Sequence, residues 1–181
     1  MSTSTIVSLP DQSTARIPRM NFISKEKGLL SWLFTRDHKR IAILYLISIT
    51  FFFFIGGAFA GLIRLELLTP QPDLVASDTY NKFFSMHGII MVFLFLVPSV
   101  PATLGNFLIP IMIGAKDLAF PRVNLLSWYL YWMGGLFTLA ALVLGGVDTG
   151  WTFTTPLSTH YLNTHVVTAA LGVFIIGFSS I

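Results

Sequence analysis

Phe83-Phe-Ser-Met-His-Gly-Ile-Ile-Met-Val-Phe-Leu-Phe-Leu-Val-Pro-Ser-Val-Pro-Ala-Thr-Leu-Gly-Asn-Phe-Leu-Ile-Pro-Ile-Met-Ile113 is the stretch that decides the fold. From Phe83 to Ile113 its only ionisable side chain is His87. As an ideal helix it would be roughly 45 Å long at about 1.5 Å per residue, against about 30 Å of hydrocarbon in a bilayer. It must therefore tilt or protrude. Pro98 and Pro101 predict a kink near its middle, because proline donates no hydrogen bond and its ring collides with the preceding turn.

His87 lies just after the polar segment Ser77-Asp-Thr-Tyr-Asn-Lys82. An ionisable side chain inside a membrane span is costly and commonly functional. A neutral imidazole can ligate a metal without a counter-charge. It can equally be a histidine bonded to a neighbouring helix, and position alone leaves both readings open.

Composition sets the class around this stretch. Hydrophobic residues make up 54% of the chain and charged residues 10%, where a soluble domain carries about 25%. Mean hydropathy is +0.76. Without cysteine, disulfides and thiolate metal sites are excluded. The basic pI near 9.4 does not point to nucleic acid, because the Lys and Arg residues flank apolar runs. The expected fold is all-α, a polytopic transmembrane helix bundle with four spans: Ile41 to Ile63, Phe83 to Ile113, Leu125 to Val147, and a last run from near His165 to Ile181. Arg16, Arg19, Lys25, Lys27, Arg36, Lys39 and Arg40 precede the first span, and Lys116 and Arg122 lie between the second and third. The opposite side holds Arg64 and Lys82 among Glu66, Asp73, Asp78 and Asp148. The positive-inside rule puts the N-terminus and the 114–124 loop in the cytoplasm, and the 64–82 and 148–162 loops outside.

Residues 1–40 read as a cytoplasmic tail, not a signal peptide. Met1 to Met20 is rich in Ser and Thr and is expected to be disordered. Ser24 to Arg40 mixes Leu29, Leu30, Trp32 and Leu33 with Lys and Arg, as an interfacial helix on the inner leaflet would, though a merely tethered tail reads the same way. Residues 41–181 form the helical part. The last run ends without a polar stop, so the chain is expected to be a fragment of a longer polypeptide, with the last span truncated.

Topology sorts the polar residues by depth. On the outer side, Arg64 closes the first span, His87 lies within two turns of the outer end of the second, and Tyr80 and Trp151 come from outer loops. That group suits a haem with outward propionates, since Arg pairs with carboxylates and Tyr and Trp donate hydrogen bonds. It also suits an aromatic belt with a snorkelling Arg. On the inner side are Asn106, Asp117, Asn124, Tyr45, Ser179 and Ser180. They could hold a file of waters leading inward from the Asp117 carboxylate, or be a solvated loop acid with interhelical glue.

The chain resembles the N-terminal part of subunit I of the haem–copper oxidases, closest to the cytochrome c oxidase branch. The motifs are Asp37-His-Lys-Arg40, Leu62-Ile-Arg-Leu-Glu66, Tyr80-Asn-Lys-Phe-Phe-Ser-Met-His-Gly88, Gly105-Asn-Phe-Leu-Ile-Pro-Ile-Met-Ile-Gly-Ala-Lys-Asp-Leu-Ala-Phe-Pro-Arg-Val-Asn124 and Gly150-Trp-Thr-Phe. The resemblance covers about residues 36 to 181, and the 105–124 block is highly specific. It implies that His87 is an axial ligand of the low-spin haem (haem A), that Arg64 meets its formyl group, and that Tyr80 and Trp151 lie near its propionates. It implies that Asp117 opens the D proton pathway, with Asn106 and Asn124 lining the opening and Tyr45, Ser179 and Ser180 further along. Glu66 matches an acid at a peripheral cation site. Phe174 and Asp37 depart from the family's frequent His and Asn.

The second ligand of that haem, the high-spin haem ligand and the CuB histidines belong to later helices of the family, and neither His160 nor His165 substitutes for them. The implied activity is a cytochrome-c oxidase in a bacterial inner membrane that reduces oxygen to water and pumps protons. Its partners are the remainder of subunit I, subunits II and III, cytochrome c as electron donor, and the lipid bilayer. Quinol oxidase is the alternative, but its quinol-site residues fall at Ile55, Phe59 and Lys82 here. Nitric oxide reductases lack the Asp117-type inlet. A non-enzymatic polytopic transporter subunit is the alternative outside the family.

Overall fold

A computed structural model describes residues 28–71, 74–160 and 165–180. The tail from Met1 to Lys27, Asp73 and Ile181 lie outside the described residues, and so do the readings attached to them. The helices are α1 (Leu29–Leu33), α2 (His38–Glu66), α3 (Ser77–Ile89), α4 (Asn106–Met112), α5 (Pro121–Val143), α6 (Leu157–His160) and α7 (Val166–Ser179), with no strand among the described residues. Two π-helical segments, Ile90–Leu96 and Ser99–Gly105, join α3 to α4.

Three helical stretches are long and apolar enough to cross a membrane: His38–Glu66, Ser77–Met112 and Pro121–Val143. Val166–Ser179 is apolar but has 14 residues, about 21 Å at the α-helical rise. α2 starts at Asp37, whose side chain accepts from the Lys39 N–H at 2.9 Å as an N-cap. α5 ends four residues before the expected Val147, because Gly145 (φ 136°) and Gly146 (φ 79°) take the left-handed backbone that stops a helix. The expected helix over Ser24 to Arg40 is, where described, only the single turn α1 followed by a break at 34–37.

The expected kink in the long span takes the form of a change in helical register. Pro101 cannot donate, and a wider turn moves its ring away from the carbonyl four residues back. The disturbed ladder gains side-chain partners. Ser99 Oγ donates to the Phe95 carbonyl, and the Tyr131 hydroxyl donates to the Leu94 carbonyl at 2.7 Å across from α5.

Small residues set the helix contacts, as membrane packing favours. A Cβ on Gly134 would lie 2.6 Å from the Gly172 carbonyl oxygen, so α5 and α7 touch backbone to backbone there. On the other side of α5, a Cβ on Gly135 would lie 2.7 Å from Phe52 of α2. Phe52 meets Tyr131 edge to face at 5.8 Å, at the centre of a buried cluster with Tyr45, Met86, Ile90 and Leu94. Apolar side chains such as Phe54, Leu136 and Phe174 point outward and are exposed, as they would be on a lipid-facing surface.

Candidate functional site

The polar side chains collect at the two ends of the bundle. Toward the α2 C-terminus, His87 of α3 is half-buried, and its Nδ1 lies 2.8 Å from the Gly56 carbonyl oxygen of α2. A carbonyl only accepts, so Nδ1 carries the hydrogen and the lone pair of a neutral ring sits on Nε2. The close approach depends on Gly56: a Cβ there would lie 2.7 Å from Met91 Sδ and 3.2 Å from Ile90 Cγ2. Trp151 packs on Gly88, where a Cβ would be 2.7 Å from Trp151 Cβ. Tyr80 lies two turns before His87 on α3, hence on the same side of that helix. Arg64 is exposed in the last turn of α2, roughly 12 Å along the axis from Gly56 at the helical rise. His87, Trp151 and Tyr80 are thus on or against one helix, with Arg64 further outward on its neighbour.

Glu66 is 7% exposed at the end of α2. Its Oε2 accepts from the Leu74 and Val75 N–H groups, each at 3.1 Å, while Oε1 is buried without a partner among the described residues. It borders a cavity of about 280 Å³ with Thr69, Gln71, Ser77, Tyr80 and Asn81. On α3, Lys82 pairs with Asp78 one turn earlier at 2.8 Å. Burial holds the Asp148 carboxyl above the usual carboxylate range, the nearby Asp78 raises it further, and Lys82 works against both.

At the other end, a cavity of about 300 Å³ is lined by Pro98, Pro101, Asn106, Asn124, Ser127, Ser179 and Ser180 among others. Asn124 donates to Asn106 at 2.6 Å, and Asn106 donates to the Ala102 carbonyl at 2.6 Å within the π-helical stretch. Ser127 Oγ donates to the Asn124 carbonyl at 2.7 Å, so the Tyr45 hydroxyl 2.8 Å away must donate to Ser127. Ser179 lies beside the same hydroxyl. Ser180 is exposed and donates to its own helix, to the Gly177 carbonyl at 2.7 Å. Asp117 stands next in sequence to Leu118, which lines the cavity. Its Oδ1 accepts from the Leu118 N–H at 2.8 Å and from His38 Nδ1 at 2.9 Å.

Gly56, Ser127 and His38 were not singled out by the sequence reading. Ser127 carried a usable signal, since it stands one turn after Asn124 and so shares its helix face. The contacts of Gly56 and His38 join residues far apart in sequence and leave no local pattern. Among the described residues no three His, Cys, Asp or Glu side chains group as a metal site.

The fold is a helix bundle with three stretches long and apolar enough to cross a membrane, the His87 imidazole at one end and a polar cavity at the other. Residues 40–181 match the family described as Cytochrome C and Quinol oxidase polypeptide I, and the chain belongs to that family, subunit I of the haem–copper oxidases. It is 46% identical to cytochrome c oxidase subunit 1 of Synechocystis sp. over 69% of this chain and 22% of the relative. It is 43% identical to the same subunit of Thermostichus vulcanus over 82% of this chain and 27% of the relative. With that of Bacillus subtilis it shares 39% over 87% of this chain and 26% of the relative. The chain thus spans about a quarter of the length of these curated relatives.

Proposed function

We propose that this chain is the N-terminal part of the catalytic subunit of a cytochrome c oxidase, a terminal respiratory enzyme that reduces oxygen to water and pumps protons. The observation that carries the reading is the His87 imidazole. Its Nδ1–H is committed to the Gly56 carbonyl at 2.8 Å, so Nε2 is the ligating nitrogen, as in metal sites where a second hydrogen bond fixes the tautomer. When bound, a low-spin haem A would supply one-electron transfer. His87 would hold its iron from α3, Trp151 and Tyr80 would flank the outer edge, and Arg64 would meet its polar substituents. The remainder of subunit I would supply the second axial ligand, the high-spin haem and CuB. Reduced-minus-oxidised spectra of the complete enzyme carrying His87→Ala test this: the low-spin band should be lost, and a normal band would overturn the assignment.

At the opposite end, Asp117 takes up protons at the mouth of an inward pathway. Asn106 and Asn124 orient water in the cavity behind it, and Tyr45, Ser179 and Ser180 continue the polar lining. Glu66 is an acid at a peripheral cation site, which its buried Oε1, without a partner among the described residues, suits. In the assembled enzyme α7 is the fourth span. The enzyme sits in a bacterial inner membrane, and the positive flanks support a cytoplasmic N-terminus with the Glu66 end outside. α1, with Leu29, Leu30 and Phe34 exposed, rests on the inner leaflet. The partners are subunits II and III, and cytochrome c is the donor. A quinol donor fits less well, because Ile55 and Phe59 offer no polar group and Lys82 is taken by Asp78.

A further inference from the structure

His38 is a buried imidazole, 5% exposed, in the first turn of α2, and the pathway described above does not use it. Its Nδ1 reaches Asp117 Oδ1 at 2.9 Å across 79 residues of sequence. We infer that His38 is the positioning residue of the proton inlet, holding the Asp117 carboxylate so that one oxygen is fixed and the other faces incoming protons.

The geometry gives the two carboxylate oxygens different tasks. Oδ1 receives both fixed donors, the His38 imidazole and the Leu118 N–H at 2.8 Å. A carboxylate only accepts, so His38 must carry its hydrogen on Nδ1 here. No described donor holds Oδ2, and the Asp117 side chain is 39% exposed while that of His38 is 6% exposed. A proton arriving from water therefore meets Oδ2. His38 is anchored in α2, whereas Asp117 lies in the irregular stretch between α4 and α5. Without this tie the loop carboxylate would be held only by its own neighbour's backbone. A charge-assisted hydrogen bond to a buried donor is among the stronger local restraints available.

The inference rests on the inlet reading of Asp117, and its test separates the two. In the complete oxidase, steady-state turnover and flash-triggered proton uptake, followed with a pH-indicator dye, are compared for His38→Ala, His38→Asn and Asp117→Asn. An asparagine amide nitrogen occupies nearly the place of the imidazole Nδ1 and keeps the donor. His38→Ala should slow proton uptake about tenfold with an unchanged low-spin haem spectrum, and His38→Asn should recover most of the rate. Should haem content show that the alanine variant assembles poorly, His38→Phe fills the volume without a donor and replaces it. A parental rate in the alanine or phenylalanine variant, or equal slowing in His38→Asn, overturns the positioning role. If Asp117→Asn itself turns over normally, the inlet reading fails and takes this inference with it. If Asp117→Asn is slow but His38→Ala is not, only the role of His38 falls.

Discussion

Gly56→Ala would test the link between helix packing and His87, the proposed haem ligand. The new Cβ would stand 2.7 Å from Met91 Sδ, 2.9 Å from Met91 Cγ and 3.2 Å from Ile90 Cγ2. Carbon contacts are comfortable at about 3.5–4.0 Å. Met91 is half-buried and can swing aside in part, but Ile90 is fully buried and cannot, so α2 and α3 must separate by several tenths of an ångström. Such overpacking costs about 1–3 kcal/mol, which a large helix bundle survives. The His87 to Gly56 hydrogen bond, now 2.8 Å, would stretch toward 3.5 Å or beyond and cease to count as one. With His87 holding the haem iron as proposed, that bond would make the ligating nitrogen more basic and so favour ferric iron. Losing about 1 kcal/mol of it should raise the low-spin haem midpoint potential by about 40 mV for one electron. A spectroelectrochemical titration of the complete enzyme reads the shift. Gly57→Ala is the control, because its Cβ would meet nothing within 4 Å. An unchanged potential in Gly56→Ala, or an equal rise in Gly57→Ala, would refute the reasoning.

Asp117→Asn keeps an acceptor oxygen for His38 and Leu118, so haem spectra should be unchanged while turnover falls roughly tenfold or more, as measured by oxygen uptake. Gly134→Ala puts a methyl 2.6 Å from the Gly172 carbonyl, where backbone and not a side-chain tip must yield; a loss of about 1–3 kcal/mol should appear as a lower Tm of the purified complex. Asp148 has a raised folded-state affinity for its proton, so its contribution to stability falls as pH rises from the ordinary carboxylate range through the raised value. Asp148→Asn should therefore raise Tm at neutral pH and leave it unchanged at pH 4, and a gain equal at both pH values would refute that origin.

Three of the four expected spans were legible because bilayer thickness and apolar run length are local properties of the chain, whereas the last run gives a helix of 14 residues. α2 and α5 lie within four residues of the expected bounds, and the early end of α5 comes from reading Gly145 and Gly146 as part of an apolar run when their positive φ stops the helix. The side chains that line the cavity near Asp117 were legible too: Asn106, Asn124 and the Ser179–Ser180 pair are polar residues in apolar surroundings, and they converge on one space. What the sequence hid was pairing across distance. His38 stands inside the Asp37-His-Lys-Arg40 motif with no role attached to it, yet its ring is buried against Asp117. Gly56 looks like one more small residue in a membrane helix, and its importance lies in a carbonyl that no side chain advertises.

The long span also shows why proline position alone could not give its geometry. Two prolines predict a bend at a point, but the π-helical backbone begins at Ile90, eight residues before Pro98. The reason lies on α5. Tyr131 is fully buried and spends its hydroxyl on the Leu94 carbonyl, an interaction that favours a carbonyl released from the normal ladder. α5 thus takes part in setting the helical register between His87 and Asn106, 19 residues apart on one continuous span. A change of register rotates everything beyond it about the helix axis. The face that carries Asn106 toward Asn124 is therefore fixed relative to the face that carries His87 toward Gly56 by a contact belonging to neither site, and a Tyr131→Phe substitution would act on their relation and not on either group alone.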